Sequence, residues 1–194
     1  MKRGPATDFM SLIFGGELVD ENSWEIIHRS PCQADPGRFK IIATVGRPLG
    51  EVLPIIYLSQ LNSKYTRRPL SASYTFQRHN ILIGHDGSVA ITFIRDEEEL
   101  DALRAMVNRA INTAISYGLT HSEPLDALME EKRALSPMRL YESFRAVPRA
   151  DCGECGEASC FGFAARLYNG EREVGDCPHV NAAVVMRMLT PIRL

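Results

Sequence analysis

Four of the five cysteines lie close together near the C-terminal end of the sequence. Cys152, Cys155 and Cys160 fall within nine residues, and sixteen further residues separate Cys160 from Cys177. An iron–sulfur cubane has closely spaced iron corners, so three thiolates from one short loop and a fourth from elsewhere suit it well. The fifth cysteine, Cys32, stands alone and is interpreted as a structural or idle thiol.

Two other chemistries remain open for these cysteines. A structural zinc site more often uses two Cys-x2-Cys pairs, whereas sixteen residues divide the second pair here. A redox dithiol would use Cys152 and Cys155 alone and would leave Cys160 and Cys177 unexplained. The spacing therefore favours a cluster over zinc, and zinc over a dithiol or disulfide.

The residues between the cysteines also favour a cluster. Gly153 and Gly156 each follow a cysteine, and glycine lets a backbone wrap closely around a sulfur-rich group. Phe161, Phe163 and Leu167 are interpreted as a dry wall beside the cluster, as the core of a small module, or as both.

Two acids, Glu154 and Glu157, lie inside the cysteine loop. Negative charge beside a cluster makes the cluster harder to reduce, so these acids predict a low reduction potential. Carboxylates that point into water would have a weaker effect because solvent and salt screen them. His179 follows Cys177 by two residues and is interpreted as a neighbour of the cluster, not as a ligand.

The stretch CGECGEASCFGFAARLYNGEREVGDCP resembles a known four-cysteine [4Fe-4S] domain. That domain occurs in the large subunit of the corrinoid iron–sulfur protein of acetyl-CoA decarbonylase/synthase and in the B subunit of Rnf electron-transport complexes. The shared pattern comprises Cys152-Gly153, Cys155-Gly156, Cys160, Phe163-Ala164, Gly170 and Cys177-Pro178.

The resemblance implies one [4Fe-4S] cluster as the cofactor. Its ligands would be Cys152, Cys155, Cys160 and Cys177. The resemblance covers only about residues 148–194, so we expect the cluster domain to follow an α/β domain of a different kind. The catalytic activities of the proteins that it resembles are not carried over to this chain.

The sequence before the cysteines predicts an α+β fold. RFKIIATV predicts a strand. EVLPIIYLSQLN predicts a helix, which can accept Pro54 only in its first turn. The turn at residues 85–88 is predicted to join two further strands. Asp96 is suited to cap a final helix with apolar residues at helical spacing. The resulting β-α-β-β-α order between Arg38 and Tyr117 indicates an antiparallel sheet covered on one face by two helices.

The chain divides into three predicted regions. Residues 1–117 form the α/β domain, where SWEIIHR predicts a strand and FMSLIFGGELV a strand pair around Gly15 and Gly16. Residues 118–149 form a helical connector with two short helices, and residues 150–194 form the cluster domain. SCFGFAARLYNG and VNAAVVMRML predict two helices in this small helical iron–sulfur module.

Composition and charge limit the partners. A net charge of −2 argues against nucleic acid. The apolar runs are far shorter than the roughly 20 residues that span a bilayer, and the N-terminus lacks a secretory pattern, so we expect a cytoplasmic protein.

TVGRPLGEV lacks the Gly-Lys-Ser/Thr ending of a nucleotide-binding loop, which argues against a nucleotide. Residues 52–85 carry four cations and no acid, as expected of a solvated edge or of a docking site for an acidic partner.

Two functions remain. The first is a non-catalytic electron-transfer or accessory protein with one [4Fe-4S] cluster, whose partner is a redox protein or a larger anaerobic enzyme complex. The resemblance associates it with one-carbon, corrinoid or methanogenic metabolism. The second is an interaction module that a cluster or zinc merely stabilises. No catalytic residues are predicted, because no Ser/His/Asp or paired-carboxylate arrangement stands out in the spacing.

Overall fold

The described part of the chain contains one six-stranded sheet and six helices. A computed structural model describes residues 18–33, 35–121, 124–144 and 151–192, and the strand pair predicted around Gly15 and Gly16 lies outside them. The strands are β1 (Glu25–Pro31), β2 (Phe39–Thr44), β3 (Lys64–Arg67), β4 (Leu70–Phe76), β5 (His79–Gly84) and β6 (Ser88–Ile94). The helices are α1 (Leu53–Ser59), α2 (Glu97–Thr120), α3 (Asp126–Arg133), α4 (Pro137–Phe144), α5 (Cys160–Tyr168) and α6 (Ala182–Leu189).

The sheet is antiparallel throughout, in the order β1-β2-β6-β5-β4-β3. Burial alternates along β5, where Ile81 and Ile83 are fully buried and Leu82 faces away from the core, as expected of a sheet with one covered face. The buried residues of α1 and α2 share a core with that face. The predicted α+β class, an antiparallel sheet with two covering helices followed by a small helical module, is confirmed.

The sheet has more strands than the predicted order. The segment expected to form one strand before residue 85 is two strands, β4 and β5, because the chain reverses at Gln77, which has a φ of 53°. Strand β3 was not predicted. It has four residues, and all its side chains are at least partly exposed, so it shows none of the apolar alternation that marks a strand.

The turn between β5 and β6 requires glycine. Gly87 has a φ of 88°, and a Cβ there would lie 2.1 Å from the carbonyl oxygen of Arg47. This close approach joins the turn to the β2–α1 loop, whose Val45 and Leu49 N–H groups donate to the carbonyls of Gly87 and His85. These two N–H groups are thus committed to the fold and are not free to bind a phosphate.

The two helices that cover the sheet, α1 and α2, have the local features that the sequence predicted. Asp96 caps α2 by accepting a hydrogen bond of 2.8 Å from Glu99 N, and Pro54 lies in the first turn of α1. The predicted apolar positions of α2 are buried: Leu100, Leu103, Val107, Ile111 and Ile115. None of the helices among the described residues is both long and apolar enough to cross a bilayer.

The C-terminal helices form a second core. It comprises Leu135, Leu140, Phe144, Phe163, Ala164, Leu167, Val174, Val185 and Leu189. Helix α3 instead places Met129 in the main core, and Ile192, after α6, returns to the main core as well. The two connector helices therefore pack on different cores, α3 on the main core and α4 on the second. The segment after α6 returns to the main core, so the chain joins the two cores both before and after the module.

Candidate iron–sulfur site

Four cysteines line one pocket at the surface of the C-terminal module: Cys152, Cys155, Cys160 and Cys177. Cys152 is exposed and the other three are half-buried. Phe144, Phe163 and Val180 provide apolar wall. None of the five cysteines forms a disulfide, and Cys32, half-buried after β1, does not line this pocket. The structure thus brings together the four cysteines that the sequence suggested as ligands, and the fifth cysteine, Cys32, lies outside the pocket.

The loop that carries the first cysteines is shaped by left-handed backbone conformations. Gly153 and Gly156 have φ values of 76° and 80°, and Gly156 N donates to Gly153 O in a turn around Cys155. A Cβ at either glycine would meet no atom closer than 3.8 Å. The glycines are therefore needed for backbone conformation, not for space.

Asp151 joins the start of this loop to Cys160. Its carboxylate Oδ1 accepts a hydrogen bond of 2.6 Å from Cys160 N, and its own N–H donates to Cys160 Sγ at 3.2 Å. Burial raises the pKa of the Cys160 thiol, and the hydrogen bond from Asp151 N–H acts in the opposite direction. Sequence reasoning missed Asp151, although an acid directly before the first cysteine was a visible signal.

Helix α5 begins at a candidate ligand. Ser159 caps it by accepting a hydrogen bond of 3.0 Å from Gly162 N, which places Cys160 in the first turn. The positive end of the helix dipole favours a thiolate there. Ser159 directly before Cys160 and an apolar run is the sequence signal of this cap.

The aromatic residues divide between core and surface. Phe163 is 1% exposed and lines the pocket, and Leu167 is buried in the module core. Phe161 is 43% exposed and meets the edge of Tyr141 with ring centroids 5.8 Å apart. The predicted dry wall therefore includes Phe163 but not Phe161.

Glu157 is a buried ion-pair partner, not a solvent-facing acid. Its Oε1 accepts hydrogen bonds of 3.0 and 2.8 Å from Arg172, and an Arg166 nitrogen lies 3.3 Å away. Glu157 is 8% exposed. It therefore joins the cysteine loop to α5 and to the segment before Cys177.

Glu154 pairs with His179, which lines the cysteine pocket. His179 Nε2 lies 3.0 Å from Glu154 Oε2, and the ligand-type atoms of Cys152, Glu154 and His179 are all within 4.8 Å of one another. This places His179 beside the candidate cluster site, as the sequence suggested. The charge of Glu157 is therefore offset by arginines, whereas Glu154 has an imidazole partner. A low reduction potential stays a prediction.

The comparisons with known proteins match this segment. Residues 147–179 match the family model described as "Putative Fe-S cluster". The chain is 43% identical over 37 residues to the acetyl-CoA decarbonylase/synthase complex subunit gamma of Methanosarcina acetivorans, which is 19% of this chain and 8% of that protein. It is 36% identical over 47 residues to the corrinoid/iron-sulfur protein large subunit of Moorella thermoacetica, which is 24% of this chain and 10% of that protein.

These matches are local. The chain covers at most about a tenth of the length of these two relatives. No solved structure is significantly similar to it. The resemblance to the four-cysteine domain is confirmed for the C-terminal segment, which carries an iron–sulfur cofactor site.

The donor set fits such a cofactor. A [4Fe-4S] cluster takes one cysteine thiolate per iron, and four thiols share one pocket here. Apolar side chains back the pocket, and the Asp151 N–H already points at one sulfur. Hydrogen bonds of this type to ligand sulfurs are a normal part of cluster binding.

Proposed function

We propose that the protein binds one [4Fe-4S] cluster through Cys152, Cys155, Cys160 and Cys177. In this proposal it is a cytoplasmic, non-catalytic protein that transfers electrons to a larger anaerobic enzyme or helps to activate it. The observation that carries the proposal is the convergence of all four thiols on one surface pocket, while Cys32 stays apart.

The exposure of the site supports electron transfer. The cluster would supply one-electron chemistry, and the residues of the chain hold it and control access to it. Cys152 is exposed, so one edge of a bound cluster would lie near the surface, where a docked partner comes close. Phe144 and Phe163, both buried, line the same pocket and supply apolar surface.

The names of the relatives suggest the setting. One is a subunit of an acetyl-CoA decarbonylase/synthase complex and the other is a corrinoid/iron-sulfur protein. By analogy, we propose a partner in anaerobic one-carbon, corrinoid or methanogenic metabolism. We also propose that residues 150–194 are the cluster domain, behind a connector at 118–149 and an α/β domain at 1–117 that contributes the partner surface.

Serine substitutions test the ligand assignment. Each of Cys152→Ser, Cys155→Ser, Cys160→Ser and Cys177→Ser is expected to lose the cluster or part of its iron, measured by absorbance and iron content after anaerobic purification. Cys32→Ser is the matched control and should keep the full cluster. Loss of the cluster in the control, or full retention in any of the other four, contradicts the assignment.

A structural role is the second candidate. The module has a small core of nine buried apolar residues among the described residues, and small cores are often stabilised by bound metal. A redox titration that follows circular dichroism separates the two roles. Reversible reduction at low potential without unfolding supports electron transfer, whereas unfolding on reduction or a redox-inert zinc protein supports the structural role.

A further inference from the structure

A cleft of about 500 Å³ lies between the sheet domain and the C-terminal module. Its lining comes from α1, the region around β3, the end of α3, the end of α5 and α6. The lining residues are Tyr57, Asn62, Ser63, Lys64, Tyr65, Thr75, Lys132, Arg133, Leu135, Tyr168, Asn169 and Leu189.

The charged groups in the lining are all cationic. They are Lys64, Lys132 and Arg133, and no Asp or Glu lines the cleft. Arg133 also pairs with Glu130 on its outer side, so its charge is partly balanced. Lys64 and Lys132 form no ion pair within the described ranges of the chain. No acidic residue of the lining therefore offsets the basic side chains of the cleft.

Lys132 is a buried amine with no ion-pair partner among the described residues. It is 8% exposed and donates to the carbonyls of Tyr57 and Gln60 at 2.5 and 2.7 Å. Burial lowers its pKa to about 7. Besides these two carbonyls, Lys132 Nζ lies 4.9 Å from the centroid of the Tyr57 ring, which also lines the cleft. A buried charge is costly without an opposite charge, so a bound anion would favour the protonated form of Lys132.

Aromatic and polar side chains complete the cleft. The rings of Tyr57 and Tyr65 lie 5.8 Å apart on the sheet-domain side, and Tyr168 faces the cleft from the module. Their hydroxyls can donate hydrogen bonds, and their rings offer flat apolar surface. Such a mixture of rings and a few convergent polar groups is typical of small-molecule sites.

We propose that this cleft binds a small organic anion. Its phosphate or carboxylate group binds Lys132 and Lys64, and its body lies along the tyrosine rings. The site is separate from the cysteine pocket, and the proposal holds whether the cluster is redox-active or structural. Helix α5 begins at Cys160 and ends at Tyr168, so the bound anion contacts the same helix that holds a candidate cluster ligand.

Calorimetry on the full-length, cluster-loaded protein tests the proposal. The probes are AMP and citrate, with adenosine as the uncharged comparison for AMP. At least one of the two anions is expected to bind with one site per chain. If AMP binds, adenosine is expected to bind at least roughly tenfold more weakly, because adenosine lacks the charged group. No binding of either anion at millimolar concentration, or equal binding of AMP and adenosine, overturns the proposal.

Substitutions locate the site. Lys132→Met keeps the alkyl stem and should weaken anion binding roughly tenfold or more. Lys132 also binds the C-terminal carbonyls of α1, so this variant is checked for folding by circular dichroism. If Lys132→Met does not fold, Lys64→Gln at the rim of the cleft provides the test. Its affinity for the anion is expected to fall several-fold.

Arg78→Gln is the matched control, because Arg78 is an exposed cation on the β4–β5 turn and does not line the cleft. Wild-type affinity in Lys64→Gln, or an equal loss in Arg78→Gln, overturns the placement of the site.

Discussion

At the residue scale, Glu157 shows how far burial can change the role of a side chain. Its position between two cysteines suggested an acid that tunes the cluster through its negative charge. In the structure Arg172 and Arg166 surround it, and it joins three segments of the module. This pairing depends on residues up to fifteen positions away, which no local pattern in the sequence reveals.

Glu157→Gln is expected to destabilise the module by roughly 1 kcal/mol, because a charged hydrogen-bond acceptor is replaced by a neutral one. Chemical denaturation followed by cluster absorbance measures the change. Glu171→Gln is the matched control, since Glu171 is an exposed acid next to Arg172 in sequence and its carboxylate has no hydrogen bond or ion pair to the described part of the chain. Equal stability of the two variants would remove the bridging role assigned to Glu157.

Gly156→Ala is expected to lower the free energy of unfolding by about 1–2 kcal/mol, because the φ of 80° at this position is strained for any residue with a Cβ. The space around it is open, so the cost reflects backbone conformation alone. Thermal unfolding of the cluster-loaded protein measures it. Gly175→Ala is the control, because a Cβ there meets nothing within 4 Å and its φ is not positive. A control as unstable as Gly156→Ala would contradict this explanation.

At the element scale, the segments with strong local signals were predicted well. The cap of α2 by Asp96, the first-turn Pro54 of α1 and the Asp-Gly turn before β6 each rest on residues adjacent in sequence. The β4–β5 turn was missed because its reversal uses Gln77 without glycine. Strand β3 was missed because an exposed edge strand of four residues has no apolar face to mark it.

Helix α5 illustrates how one element positions a candidate ligand, Cys160. Ser159→Ala removes the side-chain acceptor for Gly162 N and should cost about 1 kcal/mol of module stability. It should also speed loss of the cluster on dilution into a chelator, measured by absorbance decay. Ser159→Thr, which keeps a capping oxygen, should restore most of the wild-type rate. Decay at the wild-type rate in Ser159→Ala would show that the cap does not hold the ligand.

At the scale of the whole molecule, a separate C-terminal module could be predicted, but not which residues of the connector and the C-terminal tail join each core. The sequence marks Met129, Leu140 and Ile192 as apolar but does not say which core each one joins. The structure places Met129 and Ile192 in the main core and Leu140 in the second. The four thiols could be grouped from spacing and resemblance, whereas the cleft between the two parts depends on tertiary packing alone.

The two cores should be coupled through Ile192. This side chain is 3% exposed in the main core, so Ile192→Ala is expected to cost about 2 kcal/mol or more. The single tryptophan, Trp24, belongs to that core and reports its unfolding by fluorescence. Val184→Ala is the control, because Val184 on α6 is 46% exposed. An unchanged tryptophan transition in Ile192→Ala would show that the module does not support the sheet domain.

The cysteine pocket is proposed to hold a [4Fe-4S] cluster. Iron, zinc and acid-labile sulfide analysis of the anaerobically purified protein, with electron paramagnetic resonance after dithionite reduction, tests it most directly. We predict about four iron and four sulfide per chain and a reduced-cluster signal. Near-stoichiometric zinc with no labile sulfide would contradict the claim.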